Sequence, residues 1–130
     1  PLGDMARYRA SLTDSGNQED REIYRGVLAR ESLEEMWIEE IPIQQTGDVR
    51  ESMALSFFLE EFQGVRYVGH TGSQKAFFSF IYVHPESGTA AMAAFNSNGV
   101  PVDGTLRPNT RSILNRLRET LFAEIFPLFR

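Results

Sequence analysis

Ala76-Phe77-Phe78-Ser79-Phe80-Ile81-Tyr82-Val83 is the stretch on which the fold turns. Its aromatic and β-branched content reads as a strand. Polar and apolar residues do not alternate along it, so both faces of that strand expect burial. Downstream, His84-Pro85-Glu86-Ser87-Gly88 has the composition of a turn, and Thr89 to Phe95 returns as another strand. Upstream, Val65-Arg66-Tyr67-Val68 is separated by Gln63-Gly64 from an apolar run over Met53 to Phe62. That spacing predicts a tight hairpin, with Gly64 supplying the unusual backbone angle. Outside these strands lie helical patterns. Met5, Tyr8 and Leu12 fall at helical spacing over Asp4 to Leu12, with Asp4 as N-cap and Gly16 as stop. Asp14 to Asp20 reads as a solvated loop and Arg21 to Leu28 as a second helix. Leu33, Met36 and Trp37 share one face of a third. Pro42 ends that region, and Gln44 to Glu51 reads as polar and turn-like. At the far end, Ile113, Leu114, Leu117, Leu121, Phe122 and Ile125 form one stripe of a helix over Arg111 to Phe126.

The expected fold class is therefore α+β: an antiparallel meander with flanking N-terminal helices and a C-terminal helix packed on the sheet. The expected boundaries are a helical region over 1–52, strands over 53–98, a loop over 99–110 and the helix over 111–126. The terminal helix covers one face of the doubly apolar strand. The short N-terminal helices cover part of the other: a larger covering element is expected there, the alternative being a compact domain in which those helices suffice. The chain opens at Pro1 without an initiator Met, so it is expected to be a piece of something longer. The implied partner is the missing N-terminal half of the same protein or a homo-oligomeric copy.

With 130 residues the chain fits one domain with a real core. The absence of cysteine excludes disulfides, thiolate metal sites and a cysteine nucleophile. A net charge of −5 argues against nucleic acid as partner, which calls for a basic face. No apolar run approaches the roughly 20 residues of a membrane helix. His70 and His84 stand alone, without the paired spacing of a metal site, and no phosphate loop is present, so no metal or cofactor is expected. The carboxylate pairs Glu34-Glu35, Glu39-Glu40 and Glu60-Glu61 read as solvated faces and strand ends.

Gly69-His70-Thr71-Gly72-Ser73 stands apart. Lying between two strands, this small, glycine-containing run leaves backbone N–H groups open to approach. Such groups suit a carbonyl oxygen that becomes negative during acyl transfer. On spacing alone, the same run also fits a plain turn.

Several stretches, in order, resemble the C-terminal part of the serine β-lactamase and penicillin-binding-protein superfamily, on the side of class C β-lactamases and family VIII esterases. Asp4-Met5-Ala6-Arg7-Tyr8 resembles the helix after the family's second motif, and Val27 to Met36 a "v-L-s-x-E-S-l-x-x-M" stretch. Ala54-Leu55-Ser56-Phe57 stands where the family has Gly-Leu-Gly-Phe/Trp. Gly69-His70-Thr71-Gly72-Ser73 matches the third motif, Lys-Thr-Gly or His-x-Gly. The resemblance spans Asp4 to about Asn98 and implies a partial β-lactamase-like fold, a serine hydrolase of esters, peptides or lactams, a small acyl substrate, and a periplasmic or extracellular location. By position it puts His70 in place of the motif's Lys, Thr71 along the substrate, Gly72 at a close approach, and the Ser73 backbone N–H as one of two oxyanion donors. His70 instead of Lys points to esterase or peptidase-like relatives. The family's Ser-x-x-Lys nucleophile and Tyr-x-Asn/Ser motif are not in this sequence, so the chain alone is expected to be inactive. The alternative is a non-catalytic binding or assembly module built on the same sheet, motivated by the apolar tail Phe126-Pro127-Leu128-Phe129.

Overall fold

The computed structural model describes residues 2–75, 77–97 and 109–129. Three helices, α1 (Leu2–Thr13), α2 (Gln18–Val27) and α3 (Arg30–Glu35), precede six strands. These are β1 (Ile41–Thr46), β2 (Val49–Ala54), β3 (Phe57–Phe62), β4 (Val65–Gln74), β5 (Phe77–His84) and β6 (Thr89–Phe95). They form one antiparallel meander in chain order. The chain closes with α4 (Thr110–Thr120), a π turn over Leu121–Ile125 and a 3₁₀ turn over Phe126–Phe129. Among the described residues no helix is long and apolar enough to cross a membrane.

Each face of the sheet carries its own core. On one, Leu12 of α1, Leu33 of α3 and Trp37 pack on Phe57, Leu59, Val68 and Val83. Arg30 ties this layer together: its guanidinium lies 5.0 Å from the Trp37 ring and donates at 3.0 Å to the Leu12 carbonyl, an orphan acceptor at the end of α1. On the other face, Leu114, Phe122 and Phe126 pack on Tyr67, Phe80 and Tyr82, with the Tyr67 and Phe122 rings stacked at 4.4 Å. The two-sided burial expected of β5 holds from Phe80 to His84, whereas Phe77 at its start is 60% exposed.

The Gln63-Gly64 hairpin forms as expected, with both residues at positive φ (51° and 76°) and Phe62 paired with Val65. Other boundaries differ from the expectation. The helical region ends before Ile41, because residues 41–54 form the β1–β2 hairpin about Gly47-Asp48. Every residue of β1 is exposed, so no buried face advertises a strand, and it is held by backbone pairing with β2 and a hydrogen bond at 3.1 Å from Gln44 Nε2 to Glu51 Oε2. Met53 to Phe62 is two strands, broken at Leu55-Ser56, where Ser56 adopts φ 64°. Asp4 lies inside α1 rather than capping it. α2 begins at Gln18, because the Asn17 side chain accepts the Asp20 N–H at 2.9 Å and shortens the expected loop. Most of the expected loop over 99–110 lies outside the described residues. At its end Asn109 caps α4 and Thr110 opens it.

The C-terminal helix also buries a different stripe. Leu114, Phe122 and Phe126 face the sheet, while Ile113, Leu117 and Ile125 are exposed. Arg118 occupies the second place in that i, i+4 row, between Leu114 and Phe122, and reaches Glu60 of β3 at 2.9 Å. Glu60, expected on a solvated strand end, is 1% exposed.

Candidate active site

Gly69-His70-Thr71-Gly72-Ser73 does not form a separate edge segment or turn. It lies within β4, which pairs with β3 on one side and β5 on the other. The two partners have different lengths. β5 runs opposite β4 from Val68↔Val83 to Gln74↔Phe77, whereas the β3 ladder stops at Phe58↔Gly69, since the chain turns away at Leu55-Ser56. From His70 to Gln74, one flank of β4 therefore has no strand beside it among the described residues.

The register determines what that flank displays. In a two-residue hairpin with both central residues at positive φ, the flanking pair exchanges both backbone hydrogen bonds. Val65 thus points its N–H and C=O toward β3, and with an unbroken register so do Tyr67 and Gly69. The same alternation turns Thr71 and Ser73 to that side, past the end of β3. His70, Gly72 and Gln74 bond to β5 instead. Among the described residues, no backbone group outside the sheet takes up the Thr71 or Ser73 amide.

Side chains alternate across the sheet as the backbone groups do across the strand. Thr71 and Ser73 lie on the α4 side, His70 and Gly72 on the side of the N-terminal helices. A Cβ on Gly72 would come 2.5 Å from Ser79 Oγ on β5. A Cβ on Gly69 would run into the Ile81 carbonyl oxygen and the Tyr82 ring. The two glycines thus let β4 and β5 lie close, and Gly69 is the stricter of them because backbone cannot give way. A cleft of about 460 Å³ opens on the N-terminal helix side, lined by His70, Thr71, Gly72, Ser79, Ile81 and Met92, with Met5 of α1 on its rim.

His70 is exposed and packs against Phe58, ring centroids 5.0 Å apart. Its Nδ1 lies 2.6 Å from the Thr71 carbonyl oxygen. A carbonyl only accepts, so Nδ1 carries the proton, and in the neutral ring Nε2 is the basic nitrogen. Ser73 is exposed, and its Oγ accepts from Arg111 at 3.5 Å. The Arg111 guanidinium also lies 5.2 Å from the Phe78 ring, in the first turn of α4. Arg111 was invisible as a site residue in the sequence, being 38 positions from Ser73 with no motif around it. His84, read as a turn residue, is buried at the end of β5, with Nδ1 2.7 Å from Ser87 Oγ and its ring 5.6 Å from Tyr67. It does not join His70.

The four predicted residues therefore come together as a backbone edge more than as a side-chain cluster. Ser73 N–H, Thr71 N–H and the Arg111 guanidinium gather on the open flank, while His70 and Gly72 border the cleft. Compared with family models, with curated proteins and with solved structures, the chain finds no match in any of the three.

Proposed function

We propose that this chain is the C-terminal segment of a β-lactamase-like serine hydrolase that transfers or hydrolyses the acyl group of an ester, peptide or lactam. The observation that carries the reading is the free flank of β4, where the Thr71 and Ser73 amides face outward past the end of β3. As a nucleophile adds to an acyl carbonyl, the oxygen becomes negative. An amide fixed in a sheet meets that charge with no reorganisation, which is where such donors stabilise the transition state most. Ser73 N–H is one of the two donors this needs; the other belongs to the nucleophile's own residue. Arg111, at Ser73 Oγ, adds a positive charge suited to an anionic group on the substrate. His70 lines the cleft, and with Nδ1 donating to the Thr71 carbonyl its Nε2 is the nitrogen left to accept a proton, which supports a secondary role in proton transfer beside the nucleophile's own base.

No Ser-x-x-Lys or Tyr-x-Asn/Ser motif occurs in these 130 residues, so the nucleophile and its base come from another part of the enzyme. The chain alone stabilises an oxyanion that it has no means of forming. The test is to express it with the coding sequence immediately upstream and compare that product with the 130-residue chain. The longer protein is expected to turn over a p-nitrophenyl ester or nitrocefin and to take a fluorophosphonate label at a serine upstream of this chain. The short chain is expected to do neither. Ser73→Pro removes the outward amide together with the hydroxyl that Arg111 reaches, whereas Ser73→Ala removes the hydroxyl alone; the proline variant is expected to lower kcat/KM of the longer protein by roughly 10²–10³-fold beyond the alanine variant. Labelling of any serine within the short chain contradicts the reading, as does an inert longer protein.

A further inference from the structure

The two edges of the sheet differ in kind. β1 carries Pro42 and a register irregularity between Pro42 and Gln44, both of which hinder addition of another strand. β6, Thr-Ala-Ala-Met-Ala-Ala-Phe, has no charge and no proline, and pairs with β5 in unbroken register from His84↔Thr89 to Phe78↔Phe95. Carrying the hydrogen-bond alternation from the Gln63-Gly64 hairpin through β4 and β5 turns Thr89, Ala91, Ala93 and Phe95 toward β5. Ala90, Met92 and Ala94 then point their amides and carbonyls out of the sheet.

β6 is also nearly symmetric about its middle. Antiparallel pairing with a copy of itself centred on Met92 sets Ala90 opposite Ala94, Ala91 opposite Ala93 and Met92 opposite its twin. Outward-pointing residues meet outward-pointing residues, so each exchanges both backbone bonds with its mate. Paired positions have the same parity, so each face of one sheet continues into the same face of the other. Alanines along the seam let the two layers approach without collision. Beside the edge, the 3₁₀ turn packs against β6 and leaves Leu128 75% and Phe129 56% exposed, an apolar flank for the joined sheets.

We propose that β6 is a self-pairing edge whose occupant is a second copy of this chain, joined antiparallel about Met92 across a two-fold axis into one continuous sheet. The proposal is independent of the hydrolase reading. Sedimentation velocity of the 130-residue chain across a concentration series is expected to show a monomer–dimer equilibrium. Met92→Pro deletes an amide that β5 does not use, and Ala94→Lys puts a charge on an exposed position of the seam. Each is expected to give a monomer with an unchanged far-UV circular dichroism spectrum; if the proline variant fails to fold, the lysine variant decides. Met92→Cys, the sole cysteine in its chain, is expected to cross-link into a covalent dimer on mild oxidation much faster than Thr46→Cys on β1. A monomer at every concentration, a dimer that survives Ala94→Lys, or equal cross-linking at the two edges overturns the proposal.

Discussion

Glu60, Tyr82 and Arg118 come from β3, β5 and α4 and meet beneath the C-terminal helix. Glu60 Oε1 accepts from the Tyr82 hydroxyl and, at 2.9 Å, from Arg118, while Oε2 has no hydrogen-bond partner among the described residues. Burial raises the Glu60 carboxyl above its ordinary range, Arg118 and the Tyr82 hydroxyl oppose that, and Glu51 across the β2–β3 ladder adds to it. Burial likewise pushes the Tyr82 phenol up. A carboxyl raised on folding holds its proton more tightly in the folded state. Its stabilising contribution is therefore complete below the unfolded carboxyl pKa and is lost as pH rises through the raised one. Glu60→Gln is expected to flatten that part of the Tm–pH profile. Arg118→Met strands the carboxylate and is expected to cost about 3–5 kcal/mol at neutral pH, recovering in acid or when combined with Glu60→Gln. Chemical denaturation of the three variants at two pH values checks this. At Ser56, an L-residue holds φ 64° in a position where the resembling family has glycine. Ser56→Gly is expected to stabilise by about 0.5–1 kcal/mol, read as a rise in Tm. Gly69→Ala drives a methyl into the Ile81 carbonyl and the Tyr82 ring and is expected to cost roughly 1–3 kcal/mol in the same measurement.

At the scale of elements, what the sequence made legible follows what each element buries. β5, the Gln63-Gly64 turn and the face of Leu33 and Trp37 were readable because apolar pattern and turn chemistry agree there. β1 was not, since none of its residues is buried and it depends on register partners three to twelve residues downstream. The buried row of α4 was obscured by Arg118, whose place at its centre makes sense only with Glu60, 58 residues away. His70, Thr71, Gly72 and Ser73 were identifiable by motif. Their arrangement was not, because the open flank of β4 exists only where β3 stops, and that end is set by the Ser56 turn.

For the whole molecule, the meander, its two cores and its unequal edges form one account. The N-terminal helices and α4 cover the faces of the central strands, and two strand flanks are left for interactions: the half-free side of β4 and the outer side of β6. The central claim is that β4 changes from a strand paired on both sides to one paired on a single side at Gly69. Residue-resolved amide hydrogen exchange tests it most directly. Val65, Tyr67 and Gly69 amides are expected to be protected by β3, and His70 and Gly72 by β5, whereas Thr71 and Ser73 exchange close to the unstructured rate. Protection of the Thr71 and Ser73 amides, or fast exchange at His70 and Gly72 in their place, contradicts the account.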